Sequence, residues 1–209
     1  MTTILDNILN NKIKVKILRL FMSREKGYHS SGREIARLIG VTPPTAHSSL
    51  KELYAYHILD YEISGRNHLY SLNNDNRIVT DILSPIFQKE QAFKKDVFAF
   101  IKNVIKQKKI AKNIVSVLLY GSQQNEQADE TSDVDIAIIV HHKKDVKIVE
   151  DVFFEKIMSS FYEYFGVSLD VYIKTEQDFI HRLKKNLPPV STLIKSYSVL
   201  CGKDPLTWK

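Results

Sequence analysis

Residues 119–140 read LYGSQQNEQADETSDVDIAIIV. An apolar run, IVSVLLY at 114–120, stops at Gly121-Ser122, ten polar or small residues follow, and a second apolar run opens on Asp133-Val134-Asp135. Each apolar run predicts a strand. In the second, 134–140, alternation turns Val134, Ile136, Ile138 and Val140 one way and Asp135, Ala137 and Ile139 the other. Asp133 and Asp135 therefore share a side at the start of the strand. Two carboxylates that close raise one another's pKa unless a cation lies between them. A divalent metal removes the conflict, and Mg²⁺ suits it best. That ion takes hard oxygen ligands from one or two carboxylates and completes its shell with substrate phosphates.

A third carboxylate follows the same pattern. The stretch 167–173, VSLDVYI, predicts a strand with Val167, Leu169, Val171 and Ile173 on its apolar face and Asp170 in the middle of the other. A helix over 145–165 separates it from the first Asp-bearing strand. If the two strands are neighbours, Asp170 joins Asp133 and Asp135. Gly121 lets backbone approach a phosphate closely, and the N–H groups and hydroxyl of a Gly-Ser turn hold phosphate oxygens. Gly121 and Ser122 would then grip a triphosphate while Asp170 stands near an attacking hydroxyl and takes its proton.

Gly121-Ser122, ten residues and Asp133-Val134-Asp135 between two strands resemble the signature of the DNA polymerase β-like nucleotidyltransferase superfamily, its minimal bacterial and archaeal members most of all. The resemblance covers about residues 112–175. It implies NMP transfer from an NTP with two Mg²⁺ (or Mn²⁺) ions. It also implies Asp133, Asp135 and Asp170 as metal ligands and catalytic residues, and Gly121 and Ser122 as nucleotide-binding residues. Minimal members are often encoded beside a toxin partner that they modify, so a protein acceptor is one expectation. The chain departs from the family at 123–126. Where members often carry Arg-x-Arg-Gly, it reads Gln123, Gln124, Asn125 and Glu126, which removes cations and adds a carboxylate beside the expected triphosphate.

The front of the chain has a different grammar. KIKVKILRLFM at 12–22 places Ile13, Ile17, Leu18, Leu20 and Phe21 on a helical stripe, and SGREIARLI at 31–39 predicts a short helix with Ile35, Leu38 and Ile39 inward. Gly40 ends it. Thr42 reads as an N-cap and Pro43 as a first helical residue. The helix PPTAHSSLKELYAY then turns Ala46, Leu50 and Leu53 to the core, and runs 58–63 and 68–72 flank a turn at 64–67 as a hairpin. This order resembles bacterial winged helix-turn-helix regulators of the ArsR and MarR type over about residues 12–73. With Ala46, Leu50 and Leu53 inward, the opposite face shows Thr45, His47, Ser48 and Lys51. That face suits a DNA major groove, with Arg66 at the hairpin tip reaching a neighbouring groove or phosphate.

Charge divides the chain likewise. Net charge is +6, but residues 1–80 carry 11 Lys/Arg against 7 Asp/Glu, 81–113 carry 8 against 3, and 114–209 carry 11 against 14. The expected class is α+β: a winged helix-turn-helix DNA-binding domain (1–75), a helical linker (76–112) with a break at Ser84-Pro85, and a small mixed-sheet nucleotidyltransferase-like domain (113–209) whose tail, 176–200, is helical. The linker stripe Phe93, Val97, Phe100, Ile101, Val104 and Ile105 is core or a homodimer seam. One cysteine, Cys201, allows no internal disulfide. No apolar run reaches the ~20 residues of a membrane span. The first residues lack a signal peptide's order, so a cytoplasmic protein is expected. Two functions remain open: a metal-dependent nucleotidyltransferase carrying a DNA-binding domain, and a non-catalytic regulator whose transferase-like domain senses a nucleotide or binds a partner.

Overall fold

The computed structural model describes residues 3–65, 67–121 and 133–208. They form two compact units, residues 1–94 and 95–209, each described by itself.

In the first unit, helices α1 (Ile4–Leu9) and α2 (Lys12–Met22) precede a short strand β1 (His29–Ser31), helices α3 (Gly32–Leu38) and α4 (Pro43–Ala55), and a hairpin of β2 (Leu59–Ser64) and β3 (Asn67–Leu72). Local chemistry sets the boundaries. Asn11 caps α2 by accepting from the Ile13 amide (2.7 Å), and Ser31 caps α3 by accepting from that of Glu34 (3.3 Å). Gly40 closes α3 in the left-handed region (φ +68°), and the Val41 amide returns to the Ala36 carbonyl (3.0 Å). Thr42 occupies the N-cap position of α4, but its hydroxyl pairs with that of Thr45 (2.8 Å). Ser64 and Asn67 are cross-strand partners, so the hairpin turns on two residues, the first Gly65 at φ +60°. The three strands order as β1-β3-β2, all antiparallel.

The core of this unit gathers Ile17, Leu18 and Phe21, Ile35 and Ala36, Ala46, Leu50 and Leu53, and Ile58 and Leu59. Leu38, expected inward on α3, is instead 37% exposed, and Ala36 fills the position facing the core. The helix is only seven residues long, and its inward arc centres on Ile35–Ala36. The resulting architecture is a winged helix-turn-helix.

Residues 76–112 hold one helical turn (Ile78–Leu83) and helices α5 (Ser84–Gln91) and α6 (Phe93–Gln107). Val79, Leu83 and Phe87 enter the first unit's core, and Arg19 grips Glu90 through two hydrogen bonds of 2.8 and 2.7 Å. The chain is not broken at Ser84-Pro85. The Ser84 amide reaches back five residues to the Val79 carbonyl, and this wide turn places Pro85, which has no N–H to lose, in the first turn of α5. The interruption falls at Ala92, the C-cap of α5. On α6, Val97, Ile101, Val104 and Ile105 are buried in the second unit, and Phe100 meets the rings of Phe161 and Phe165.

The second unit is a four-stranded mixed sheet. Its strands are β4 (Ile114–Tyr120), β5 (Val134–Val140), β6 (Leu169–Thr175) and β7 (Tyr197–Gly202), in the order β6-β5-β4-β7. Helices α7 (Lys143–Val152) and α8 (Met158–Phe165), joined through a wide turn at Phe153–Ile157, connect β5 to the parallel β6. Helices α9 (Glu176–Lys184) and α10 (Val190–Leu193) cover the sheet face that shows Leu118, Ala137 and Ile139. Two expectations change here. The third strand runs 169–175 rather than 167–173, because Gly166 ends α8 at φ +71° and Thr175, buried, continues the inward row opposite Val140. The tail is not helical throughout: 197–202 is a strand. Tyr197 pairs with Tyr120 and Val199 with Leu118, which closes the free edge of β4.

Candidate functional site

The site lies where β4 ends and β5 and β6 begin. The Val134 amide donates to the Ser168 carbonyl (2.8 Å), which starts β5 and β6 in step. Parallel register then sets Asp135 opposite Asp170, Ile136 opposite Val171 and Ala137 opposite Tyr172. Opposed residues share a face, so both carboxylates stand on the side covered further along by α9 and α10. Asp133 and Asp170 are exposed and Asp135 is half-buried. Burial, and then the charges of Asp170 and Asp133, push the Asp135 carboxyl up to about 6.

Gly121 follows at the end of β4. Its φ is +81°, and a Cβ there would lie 2.8 Å from Asp135 Cγ, overlapping the carboxylate. Only glycine lets this turn close over Asp135. Ser122, expected to share the triphosphate with Gly121, lies outside the described residues, as do 123–126 and Arg66.

Sequence reasoning missed Tyr120. Its partner across β4 and β5 is Asp135 and its partner across β4 and β7 is Tyr197, so one row of the sheet reads Tyr197, Tyr120, Asp135, Asp170. Burial first, and then Asp135 and Asp170, raise the Tyr120 phenol well above its usual value. It remains a neutral hydroxyl that can donate. The visible signal was an aromatic residue ending an apolar run beside Gly121. The other member of the row, Tyr197, donates to Asp204 Oδ1 (2.6 Å).

Among the described residues, no ion pair engages Asp133, Asp135 or Asp170, and no three His, Cys, Asp or Glu side chains close into a ready-made metal cage. The donor set is nonetheless of the kind a hard divalent ion takes: carboxylate oxygens in register, one with its pKa raised by burial and then by the neighbouring negative charges, open toward solvent for waters and phosphates. A cation at Asp135 and Asp170 would offset that charge.

On the first unit, Thr45, His47, Ser48 and Lys51 are all exposed along α4. His47 and Lys51 also line a cleft of about 270 Å³ between α4 and the hairpin, with Tyr54, Tyr61, His68 and Tyr70. The Tyr61 and His68 rings stack at 4.9 Å.

Residues 100–205, half of the chain, match the family described as polymerase beta, nucleotidyltransferase. The chain belongs to that family. The match runs from within α6 to three residues past β7, so it takes in Gly121 and all three aspartates.

Among solved structures, the chain is similar to a predicted DNA-binding transcriptional regulator from E. coli at 19% identity, covering 39% of this chain and 81% of that one at a TM-score of 0.33. It is similar to the homodimeric winged helix-turn-helix domain of a possible ArsR-family regulator from Mycobacterium bovis at 18% identity, covering 43% and 73% at 0.32. The antimony-specific repressor AntR matches at 21% identity, covering 44% and 78% at 0.35. No curated protein matches the chain. Among the described residues, no helix is long and apolar enough to cross a membrane.

Proposed function

We propose that the protein transfers a nucleoside monophosphate from an NTP to a hydroxyl acceptor, and that its winged helix binds DNA. The observation that carries the first part is the register of Asp135 against Asp170, with Asp133 at the start of the strand and the Gly121 backbone folded over Asp135. In this reading the backbone around Gly121 and Ser122 holds the triphosphate. Asp133, Asp135 and Asp170 would hold two Mg²⁺ or Mn²⁺ ions, which when bound would neutralise phosphate charge and make the acceptor hydroxyl easier to deprotonate. The acceptor oxygen attacks the α-phosphorus, the bond from that phosphorus to the bridging oxygen breaks, and pyrophosphate leaves. The hydroxyl proton passes to Asp170. Acceptors of this chemistry include protein, small-molecule and nucleic-acid hydroxyls.

DNA binding rests on the exposed face of Thr45, His47, Ser48 and Lys51, and on Arg66, which the sequence puts between the two hairpin runs. A second reading is favoured by Gln123-Gln124-Asn125-Glu126, which brings no cation to the phosphates. In it, the same fold holds a nucleotide or a partner without chemistry.

Incubation with α-labelled NTPs and Mg²⁺ or Mn²⁺ separates the two. Label transferred to the protein or an acceptor, and lost in Asp133→Ala/Asp135→Ala, supports transfer. Equal behaviour of wild type and variant removes it. For DNA, a gel shift on sequence upstream of the gene is expected to weaken with Lys51→Ala, with Arg66→Ala and with added salt. An unaffected shift would move the contact face elsewhere.

A further inference from the structure

Two lysine-rich stretches lie far apart in sequence, KQKKIAKN at 106–113 and HHKKDVK at 141–147. In the second unit they meet. The first leads from the last turn of α6 into β4, and the second from β5 into α7. Ile114 pairs with Val140, so the two stretches emerge together at the end of the sheet away from the aspartates. Two hydrogen bonds pin them: the His141 amide to the Asn113 carbonyl (3.1 Å) and Asn113 Nδ2 to Asp145 Oδ1 (2.6 Å).

The result is a basic surface. Lys106, Lys108, Lys109 and Lys112 are exposed, as are Lys143 and Lys144 with His141 and His142 between the two groups. Among the described residues none of these lysines is in an ion pair. The buried Asp145 carboxylate offsets part of this charge, acting on His142 and Lys144, which leaves most of the six lysines unbalanced. Asp145 is buried and occupied by Asn113 and by the His142 amide (3.0 Å). Glu176 and Asp178 stand in the first turn of α9, where Asp178 already accepts from the Thr175 hydroxyl (2.9 Å) and amide-to-hydroxyl contact joins the same two residues. Lys109 turns the chain within this surface. It holds the left-handed position after α6 (φ +57°), with the Ile110 amide returning to the Ile105 carbonyl (3.2 Å). Glycine is the residue that fits there without strain.

We propose that this end of the sheet is a docking surface for the phosphate backbone of nucleic acid, separate from the winged helix and from the aspartates. Several lysines on one face neutralise phosphates and release their counterions. A membrane surface would ask for a broad exposed apolar face beside the cations; Ile110 is buried, and among the described residues bordering the two stretches Ile148 alone is a large exposed apolar one. A protein partner would ask for aromatic or Arg anchors, lysine being depleted at such interfaces. The arrangement holds nucleic acid near the unit without occupying the site at the other end of β5, roughly 17 Å away along the strand.

The test uses the full chain, a fluorescein-labelled 25-bp DNA duplex of random sequence, and anisotropy from about 50 to 200 mM salt. The variant Lys108→Ala/Lys112→Ala/Lys143→Ala/Lys144→Ala is expected to bind at least tenfold more weakly at low salt. Its slope of log K against log salt should shrink by about 3.6, each of the four lost phosphate contacts contributing about 0.9. Lys51→Ala changes the slope by at most about 1 and adds to the quadruple variant, so failure of the winged-helix reading would show separately. Lys109→Gly controls for folding, with an equal or higher melting temperature and weaker duplex binding. The proposal is overturned if the quadruple variant keeps the wild-type slope and affinity. It is equally overturned if wild type binds polyglutamate or phosphatidylglycerol vesicles as tightly as the duplex.

Discussion

The backbone of Gly121 is packed directly against the carboxylate of Asp135, so closely that a Cβ on Gly121 would lie 3.2 Å from Asp135 Cβ and 2.8 Å from its Cγ. The turn that would face the phosphates and the carboxylate that would face the metal are therefore one mechanical unit. Gly121→Ala must leave φ +81° or displace Asp135. It is expected to cost about 2 kcal/mol of stability, from left-handed strain and overlap together. Label transfer should fall more steeply than stability. Chemical denaturation beside the NTP assay checks both, and an alanine variant with wild-type transfer would separate the turn from the site.

Asp135 predicts a pH dependence. Its carboxyl is raised to about 6 in the folded chain, by burial first and then by Asp170 and Asp133. Unfolded, the same group titrates near about 3.9. Between those values the folded state holds a proton that the unfolded state has lost, so stability falls as pH rises from about 4 through about 6. In EDTA at pH 7.5, Asp135→Asn should therefore melt higher than wild type, by about 1 kcal/mol once solvent screening is allowed for. A lower melting temperature would show that the repulsion is absent. Divalent ions with NTP should stabilise wild type and not the variant.

Gly202 tests the fourth strand. It sits at φ +88°, and a Cβ there would lie 2.7 Å from Ser116 Cα, with the Val115 carbonyl oxygen closer still. Both neighbours are backbone, which cannot rotate away. Gly202→Ala should destabilise the second unit by about 2 kcal/mol or more. Hydrogen exchange is expected to speed up at the β4 and β7 amides while the first unit's rates hold. Unchanged protection would place β7 outside the cooperative sheet.

Among the described residues of the first unit, Lys14 is the buried charge. It is 3% exposed, and its ammonium donates to the Asn7 carbonyl (2.5 Å) and Asn10 Oδ1 (3.3 Å) and pairs with Glu52 (2.5 Å). Removing one partner leaves the buried charge short, whereas replacing the lysine removes the cost. Glu52→Ala should lose about 1–2 kcal/mol, the partner being half exposed, while Lys14→Met should be near neutral. Urea titration reads both. A Lys14→Met variant that fails to fold would make the ion pair a requirement of the unit.

The elements legible in the sequence were those whose cause is local. Alternation placed β5 with Asp135 on the face opposite Ile136, and the Gly40-Thr42-Pro43 punctuation placed α4 with Ala46, Leu50 and Leu53 inward. Local pattern failed where long-range contact chose the state. The segment 197–202 is a strand because β4 has an edge to pair, and Pro85 breaks nothing because the preceding turn widens to admit it.

By itself, then, the sequence determined which way each candidate site residue points along its own strand and where the chain turns, because a period of two and the freedom of glycine are properties of a few adjacent residues. Only the tertiary structure decided what stands beside what. Parallel register, begun by the Val134–Ser168 hydrogen bond, put Asp170 opposite Asp135 and Tyr120 in the same row. Antiparallel pairing at the far end brought two distant lysine runs together. Those juxtapositions depend on hydrogen bonds between segments tens of residues apart, which no window of sequence contains.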